Sequence, residues 1–362
     1  MKKALALILA ALLPLGGCSQ TGSIYANFRA VEDLQLVQTF GFDWHDGEIT
    51  ITVSSGEETE KLPSSLLSAS APDIPQAIEL LQDWSAREDL DFAHIRYVLV
   101  GEEAARHGLE TLLDWFERGI QTRLDLPVFI VEGGTARDLI CSGDDDLYEI
   151  TAVLMSLERD VERRGKSWPF TLRELAARMD RCGAGLCTSV RTVETAENVP
   201  SAQEGITALE TGFAVLRDWK LCAFSGQEAA EGICLLLNRA GAGNILLPGD
   251  GGGLVTLEMG RARTRMEPGP PPTIRANCRA SVVSADAGTP VHAALLPLLE
   301  EELGQWVAQR LEAALQLSRE TEADFLDLGT DTPPTLLINA RVERSYDILF
   351  AENAAEVESH GG

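Results

Sequence analysis

Gly212-Phe213-Ala214-Val215-Leu216-Arg217-Asp218-Trp219-Lys220-Leu221 decides how this chain is read. Strand formers from Ile206 to Leu216, a polar turn at Arg217-Asp218 and a returning strand from Lys220 to Phe224 predict a β-hairpin. Ser225-Gly226-Gln227-Glu228 follows with the spacing of a capping box, in which a hydroxyl and a carboxylate each satisfy an exposed amide. Ala230, Ile233, Cys234 and Leu237 then recur at helical spacing, Gly241 and Gly243 close the helix, and Asn244 to Leu247 reads as another strand. Hairpin, helix and strand in succession point to an α+β fold.

The same alternation continues toward the C-terminus. A glycine-rich turn, Pro248 to Gly253, leads into a strand carrying Leu254, Thr256 and Glu258, and Pro268 to Pro272 forms a stiff link. Ile274, Ala276, Cys278, Ala280 and Val282 alternate strictly, as one face of a half-buried strand does. A long helix from Leu296 to Ala323 turns Leu299, Leu303, Trp306, Val307, Leu311 and Leu315 inward. A last strand runs from Leu336 to Val342.

Toward the N-terminus, Leu34 to Trp44 and Glu48 to Val53 form a hairpin about Asp46-Gly47, a dipeptide that tolerates the positive φ of a tight turn. A polar loop over Ser54 to Ser70 precedes a helix capped by Asp73, with Ile74, Ala77, Ile78, Leu81 and Trp84 on its inner face. Ile95 to Val100 reads as a buried strand, Leu109, Leu112, Leu113 and Phe116 as a helical stripe, and Pro127 to Val131 as a further strand. Helices follow at Ala136 to Ile140, at Leu147 to Glu162 and after a capping box at Thr171-Leu172-Arg173-Glu174. The expected architecture is multi-domain α+β, with mixed sheets, packed helices, and a long helix in the C-terminal half before a final strand. An N-terminal α+β domain is expected over 31–198 and a C-terminal α+β region over 206–350, itself divisible near 249–272. A disordered tail is expected over 351–362.

The first residues carry an address. Lys2-Lys3, an apolar run from Ala4 to Leu15 and Leu15-Gly16-Gly17-Cys18 make a lipoprotein signal peptide over 1–17, too short for a permanent membrane span. Cys18 is therefore the expected lipid-attachment residue, with diacylglycerol on its sulfur and a lipidated tether over 18–30. Two acyl chains suffice for stable attachment where one gives only reversible binding.

The chain has 362 residues, enough for more than one core, and a formal charge of −26. That balance speaks against nucleic acid and bare anionic lipid as partners, because no basic stripe stands out to neutralise phosphates. Beyond Cys18 there remain Cys141, Cys182, Cys187, Cys222, Cys234 and Cys278. An exported chain can oxidise these, with fifteen full pairings open to six cysteines. The C-x4-C spacing of Cys182 and Cys187 lacks the second pair a zinc site needs.

Chemistry is sparse. There is no G-x-S-x-G elbow, and His45, His94, His107, His292 and His360 are scattered without metal-binding spacing. Gly241-Ala242-Gly243-Asn244 ends a helix where a phosphate loop would open one. Asp144-Asp145-Asp146 precedes a helix, where acidic residues suit the dipole. No catalytic, cofactor-binding or metal-ligating residue emerges.

Several segments resemble the Ger(x)C family, the lipoprotein C subunits of spore germinant receptors. Glu32 to Val37 followed by Phe40-Gly41-Phe42-Asp43 is similar to the family's acidic-leucine stretch and G-x-D strand. Gly108 to Gly119, with Phe116-Glu117-Arg118, and Pro127 to Ile140 resemble its helix, strand and Ala-x-Asp turn. Gly212 to Leu221 with the helix and strand after it is the most specific match. Glu322 to Gly329 resembles its aspartate, aromatic, glycine signature after a long helix. Ser19-Gln20 departs from the pattern, since a tryptophan and an acidic residue commonly follow the cysteine. The resemblance implies a non-enzymatic, membrane-anchored subunit on the outer face of the inner spore membrane, working in nutrient sensing with two integral-membrane subunits. No site residue carries over with it. An extracytoplasmic solute-binding lipoprotein is the alternative, and a lipoprotein hydrolase a more distant one.

Overall fold

The computed structural model describes residues 34–55, 66–85, 89–119, 122–141, 149–193, 208–239, 243–249, 253–260, 262–286, 294–329 and 332–344. Cys18, Asp144 to Asp146, His292, His360 and the expected tail over 351–362 lie outside them. In chain order the strands are β1 (Leu34–His45), β2 (Glu48–Ser55) and β3 (Leu66–Ala71), followed by helix α1 (Ile74–Trp84). Then come β4 (Asp89–Asp91), β5 (Tyr97–Gly101), α2 (Glu102–His107), α3 (Glu110–Arg118), β6 (Val128–Val131), α4 (Ala136–Cys141), α5 (Glu149–Arg164) and α6 (Leu172–Cys182). β7 (Ala184–Val193), β8 (Ala208–Arg217), β9 (Lys220–Phe224), α7 (Gln227–Leu237), β10 (Asn244–Pro248) and β11 (Leu254–Met259) continue the chain. β12 (Arg263–Glu267), β13 (Thr273–Ala285), α8 (Leu296–Glu320) and β14 (Thr335–Arg344) complete it.

Nine strands form the first sheet, in the order β3-β2-β1-β5-β6-β7-β8-β9 with β4 beside β1. Its centre, β1-β5-β6-β7, is parallel and its flanks are antiparallel. Parallel neighbours need crossover connections, and the helices that supply them cover both faces. Val98 and Val100 pack toward α1, α2, α3 and α6, while Tyr97 and Leu99 pack toward α4 and α5. The second sheet has the order β10-β11-β13-β12, with β14 parallel to β13. Its inner face, including Ile274, Ala276, Cys278, Ala280 and Val282, packs on α7 and α8.

The turns follow from local chemistry. Asp46 and Gly47 both take positive φ in the β1–β2 turn, the conformation this dipeptide favours. Asp73 accepts the Gln76 N–H at 2.8 Å. The capping box at Thr171 is formed, with both reciprocal bonds present.

Several expectations give way. The first sheet runs through the expected boundary at 199–205, because β7 and β8 on either side of it pair antiparallel from Ala184↔Arg217 to Val193↔Ala208. A polar, unevenly patterned segment here joins adjacent strands of one sheet, and the seam between the sheets falls after Phe224. β3 emerges at the end of the expected 54–70 loop, because Leu67 and Ala69 pair with Val53 and Ile51. Trp84 stays exposed at 54%, since it closes the last turn of α1 beyond Leu81. The cap of α7 is Asn238 in the left-handed conformation, φ 53°, not the later glycines. Ser225 does not cap α7 either: Gly226 holds the N-cap position with no side-chain bond, and the Ser225 hydroxyl accepts the Phe213 N–H at 2.8 Å.

Candidate functional site

The segments quoted for the family resemblance become joints. Gly41 lets α4 lie against β1, for a side chain there would strike Ile140. Two residues on, the buried Asp43 carboxylate accepts the N–H groups of Ala136 at 2.7 Å and Arg137 at 2.9 Å, capping α4. Burial raises its pKa, and the two amides hold the rise back. Gly101 makes room for that carboxylate, because a Cβ there would overlap Asp43. G-x-D on one strand and Ala-x-Asp at a distant turn are thus two halves of one contact.

The C-terminal signature is a second joint. Asp324 accepts the Leu328 and Gly329 N–H groups, each at 2.8 Å, and folds the chain around the buried Phe325. Three arginines, two on α6 and one on β8, hold this turn. Arg178 donates to the Phe325 carbonyl at 2.7 Å, Arg217 to the Thr321 carbonyl at 3.1 Å, and Arg181 pairs with Asp327 at 3.3 Å. Gly232 forms a third joint, since a Cβ on it would overlap the Arg310 carbonyl where α7 and α8 touch.

Between the sheets lies a cleft of about 880 Å3. β7 and β8 supply Ser189, Arg191 and Thr211, the loop before α6 supplies Lys166, and α7 and α8 supply Glu231 and Arg310. Glu231 and Arg310 pair at 3.0 Å with side chains only 9% and 14% exposed. Arg310 also stacks 4.2 Å above the Trp306 ring, and Gln227 donates to the second Glu231 oxygen at 3.0 Å. Arg191 faces Glu132 at 3.8 Å. Hydroxyls near the cleft serve the scaffold: Ser225 takes the Phe213 amide and Thr211 the Ser167 hydroxyl, the latter at 3.1 Å. Neither histidine nor cysteine is among the described lining residues. Such a wall suits polar, oppositely charged groups on a ligand or partner.

The remaining candidates from the sequence are dispersed. The cysteines within the described residues are unpaired. Cys182 packs at the core shared by the sheets and Cys187 in the first sheet's own core, so the nearest pair in sequence faces two different interiors. Burial pushes the Cys187 and Cys234 thiols upward and the Cys278 thiol to about 11, a protonated and inert state. His45 is exposed and bonds Glu103 at 3.0 Å, which raises its pKa together with the charges of Asp46 and Glu103. His107 stacks on Trp44. Among the described residues no three metal-ligating side chains cluster, and no helix is long and apolar enough to cross a membrane. Sequence reasoning missed the cleft, because its walls come from segments far apart in the chain.

Residues 27–186 match the family described as the spore germination protein N-terminal domain. Over those residues the chain carries that family's N-terminal domain. The match covers β1 to the first part of β7, and so includes the Asp43 joint of the family's G-x-D strand. Among solved structures, the crystal structure of the GerBC protein is similar at a TM-score of 0.52 and 12% identity, over 84% of this chain and 96% of that one. The shared fold thus extends beyond the N-terminal domain. No curated protein matches the chain in sequence.

Proposed function

We propose that this protein is a Ger(x)C-family member, the non-catalytic, lipid-anchored C subunit of a nutrient germinant receptor in spore germination. The observation that carries the reading is the family match over residues 27–186, whose motif residues act in this fold as caps and joints. The Leu15-Gly16-Gly17-Cys18 lipobox supports the anchor, with diacylglycerol on Cys18 and the domains held on the extracytoplasmic face of the inner spore membrane. Two integral-membrane subunits are the partners. Tethering raises the effective concentration of the domains near those subunits, so weak polar interfaces suffice. No other cofactor enters the reading.

Cys18→Ala tests it. The variant is expected to leave the membrane fraction, lose labelling by a tagged fatty acid and slow nutrient germination. Membrane retention together with normal germination would sink the proposal. A second reading, a solute-binding lipoprotein, is favoured by the polar cleft of about 880 Å3. It predicts saturable heat on titration with a nutrient, abolished by Arg310→Ala.

A further inference from the structure

The outer face of the second sheet runs against the charge of the chain. Side chains alternate along its strands, so Arg263 and Arg265 on β12, Arg275 and Arg279 on β13 and Arg341 on β14 point away from α7 and α8, and all are exposed. Glu258, Glu267 and Glu343 share that face. Arginine therefore outnumbers acid here, in a chain holding 56 acidic against 30 basic side chains.

Register then sets like charges against each other. Arg265 stands directly opposite Arg275 across the antiparallel pair, and Arg279 opposite Arg341 across the parallel pair. Like charges directly opposite destabilise a sheet. Carboxylates of the chain offset part of this, with Arg275–Glu267 at 3.3 Å, Arg279–Glu343 at 3.2 Å and Arg341–Glu300 at 3.6 Å. Such solvent-exposed pairs hold weakly and exchange easily. Arg263 and Arg265 make no ion pair among the described residues. These side chains bury no core, so packing gives no reason for two opposed arginine pairs in so acidic a chain.

The same face carries the exposed Leu246, Leu254, Val283 and Leu337, and Leu337 lies in register with Arg275. Arginine is enriched at protein-docking surfaces, and the exposed aliphatic side chains on this face add apolar area for a partner to cover. We infer that the outer face of the second sheet docks an acidic polypeptide segment, whose carboxylates take the opposed arginines in bidentate pairs. The two opposed pairs are four residues apart along β13, about 13 Å, which matches carboxylates four residues apart on an extended segment. A polypeptide fits better than a lipid surface. A flat anionic bilayer would bring Glu258, Glu267 and Glu343 of the same face within the Debye length of about 8 Å, whereas a narrow segment can follow the line of arginines. The inference needs neither the lipid anchor nor the receptor assignment, so it stands or falls apart from them.

The test uses the full chain with labelled poly-L-glutamate as the probe, followed by fluorescence anisotropy at low and high salt, beside melting curves. Saturable, salt-sensitive binding is expected, weakened about tenfold by Arg265→Glu with Arg279→Glu. Melting temperature is expected to rise in Arg265→Glu alone, because that change converts an opposed arginine pair into an arginine–glutamate pair and breaks no ion pair among the described residues. Arg118→Glu, at an exposed position in the last turn of α3, should leave binding unchanged. The inference is overturned by absence of poly-glutamate binding, by equal loss in Arg118→Glu, or by a lower melting temperature in Arg265→Glu. It is equally overturned if the reversal abolishes binding to phosphatidylglycerol vesicles in a chain that ignores poly-glutamate, or only dissolves a self-associated state in sedimentation.

Discussion

The two sheets solve the same problem in opposite ways. β5 and β6 are buried at every position, because helices cover the first sheet on both faces and each successive side chain meets a core. β13 alternates buried and exposed over most of its length, since α7 and α8 cover one face and the other meets solvent. The first sheet can thus vary little, while the second keeps a whole face open to charge and partners. The two are still not separate bodies. One contiguous core joins Leu186, Phe213 and Val215 of the first sheet to α7, α8 and the inner face of the second. That shared core predicts a single cooperative unfolding transition.

The sharpest way to break the comparison is at Gly232. Any side chain there meets the Arg310 backbone, so Gly232→Ala is expected to part α7 from α8 and cost about 3 kcal/mol, as overpacking of a tight contact does. Urea denaturation followed by tryptophan fluorescence and far-ultraviolet circular dichroism measures it. Coincident transitions at lower urea keep the sheets as one unit. A biphasic curve would mean that the doubly covered sheet survives when the singly covered one loses its helices.

Asp43 tests the first sheet alone. Asp43→Ala leaves the Ala136 and Arg137 amides without their acceptor, and the expected loss is about 2 kcal/mol. Asp43→Asn should cost less and carries a pH signature. Burial holds the folded pKa of Asp43 above its unfolded value near 3.8, so the folded state binds that proton more tightly. The resulting stabilisation is complete below the unfolded pKa and is lost as pH rises through the folded one. The deficit of Asp43→Asn relative to the parent chain should therefore narrow from acid toward neutral pH. A deficit that widened would show that the carboxylate is stabilised in its charged form.

These residues also show what could be read without coordinates. Periodicity located most helices and strands, and Asp46-Gly47, Asp73 and Thr171 do what their local chemistry predicts. Ser225 has the right spacing for a capping box yet bonds the neighbouring hairpin, because the chain offers its hydroxyl another amide. Asp43 was visible as part of a G-x-D strand, but its partner lies 93 residues away and no local pattern names it. The open arginine face was hidden differently. Alternation along β13 is plain in the sequence, whereas the register that sets Arg265 against Arg275 is not, and a net charge of −26 averages the face away. The cleft escaped for the same reason as Asp43, since its walls meet only in three dimensions.

The smallest effect sharpens the account of the second sheet. Thr264 on β12 turns its side chain inward, and its hydroxyl oxygen is the one buried side-chain polar atom without a hydrogen-bond partner among the described residues. Its backbone is well served, because the Asn238 side chain accepts the Thr264 N–H at 2.7 Å and donates to its carbonyl at 2.9 Å. That amide closes the free edge of β12 as a neighbouring strand would. Thr264→Val keeps the branched shape and the edge contacts while removing only the unpartnered hydroxyl. It should raise stability by about 1 kcal/mol, read as a higher urea midpoint at unchanged slope. A loss instead would place a bound water or polar neighbour on that hydroxyl, and the inner face of the second sheet would then be wetter than its alternating pattern implies.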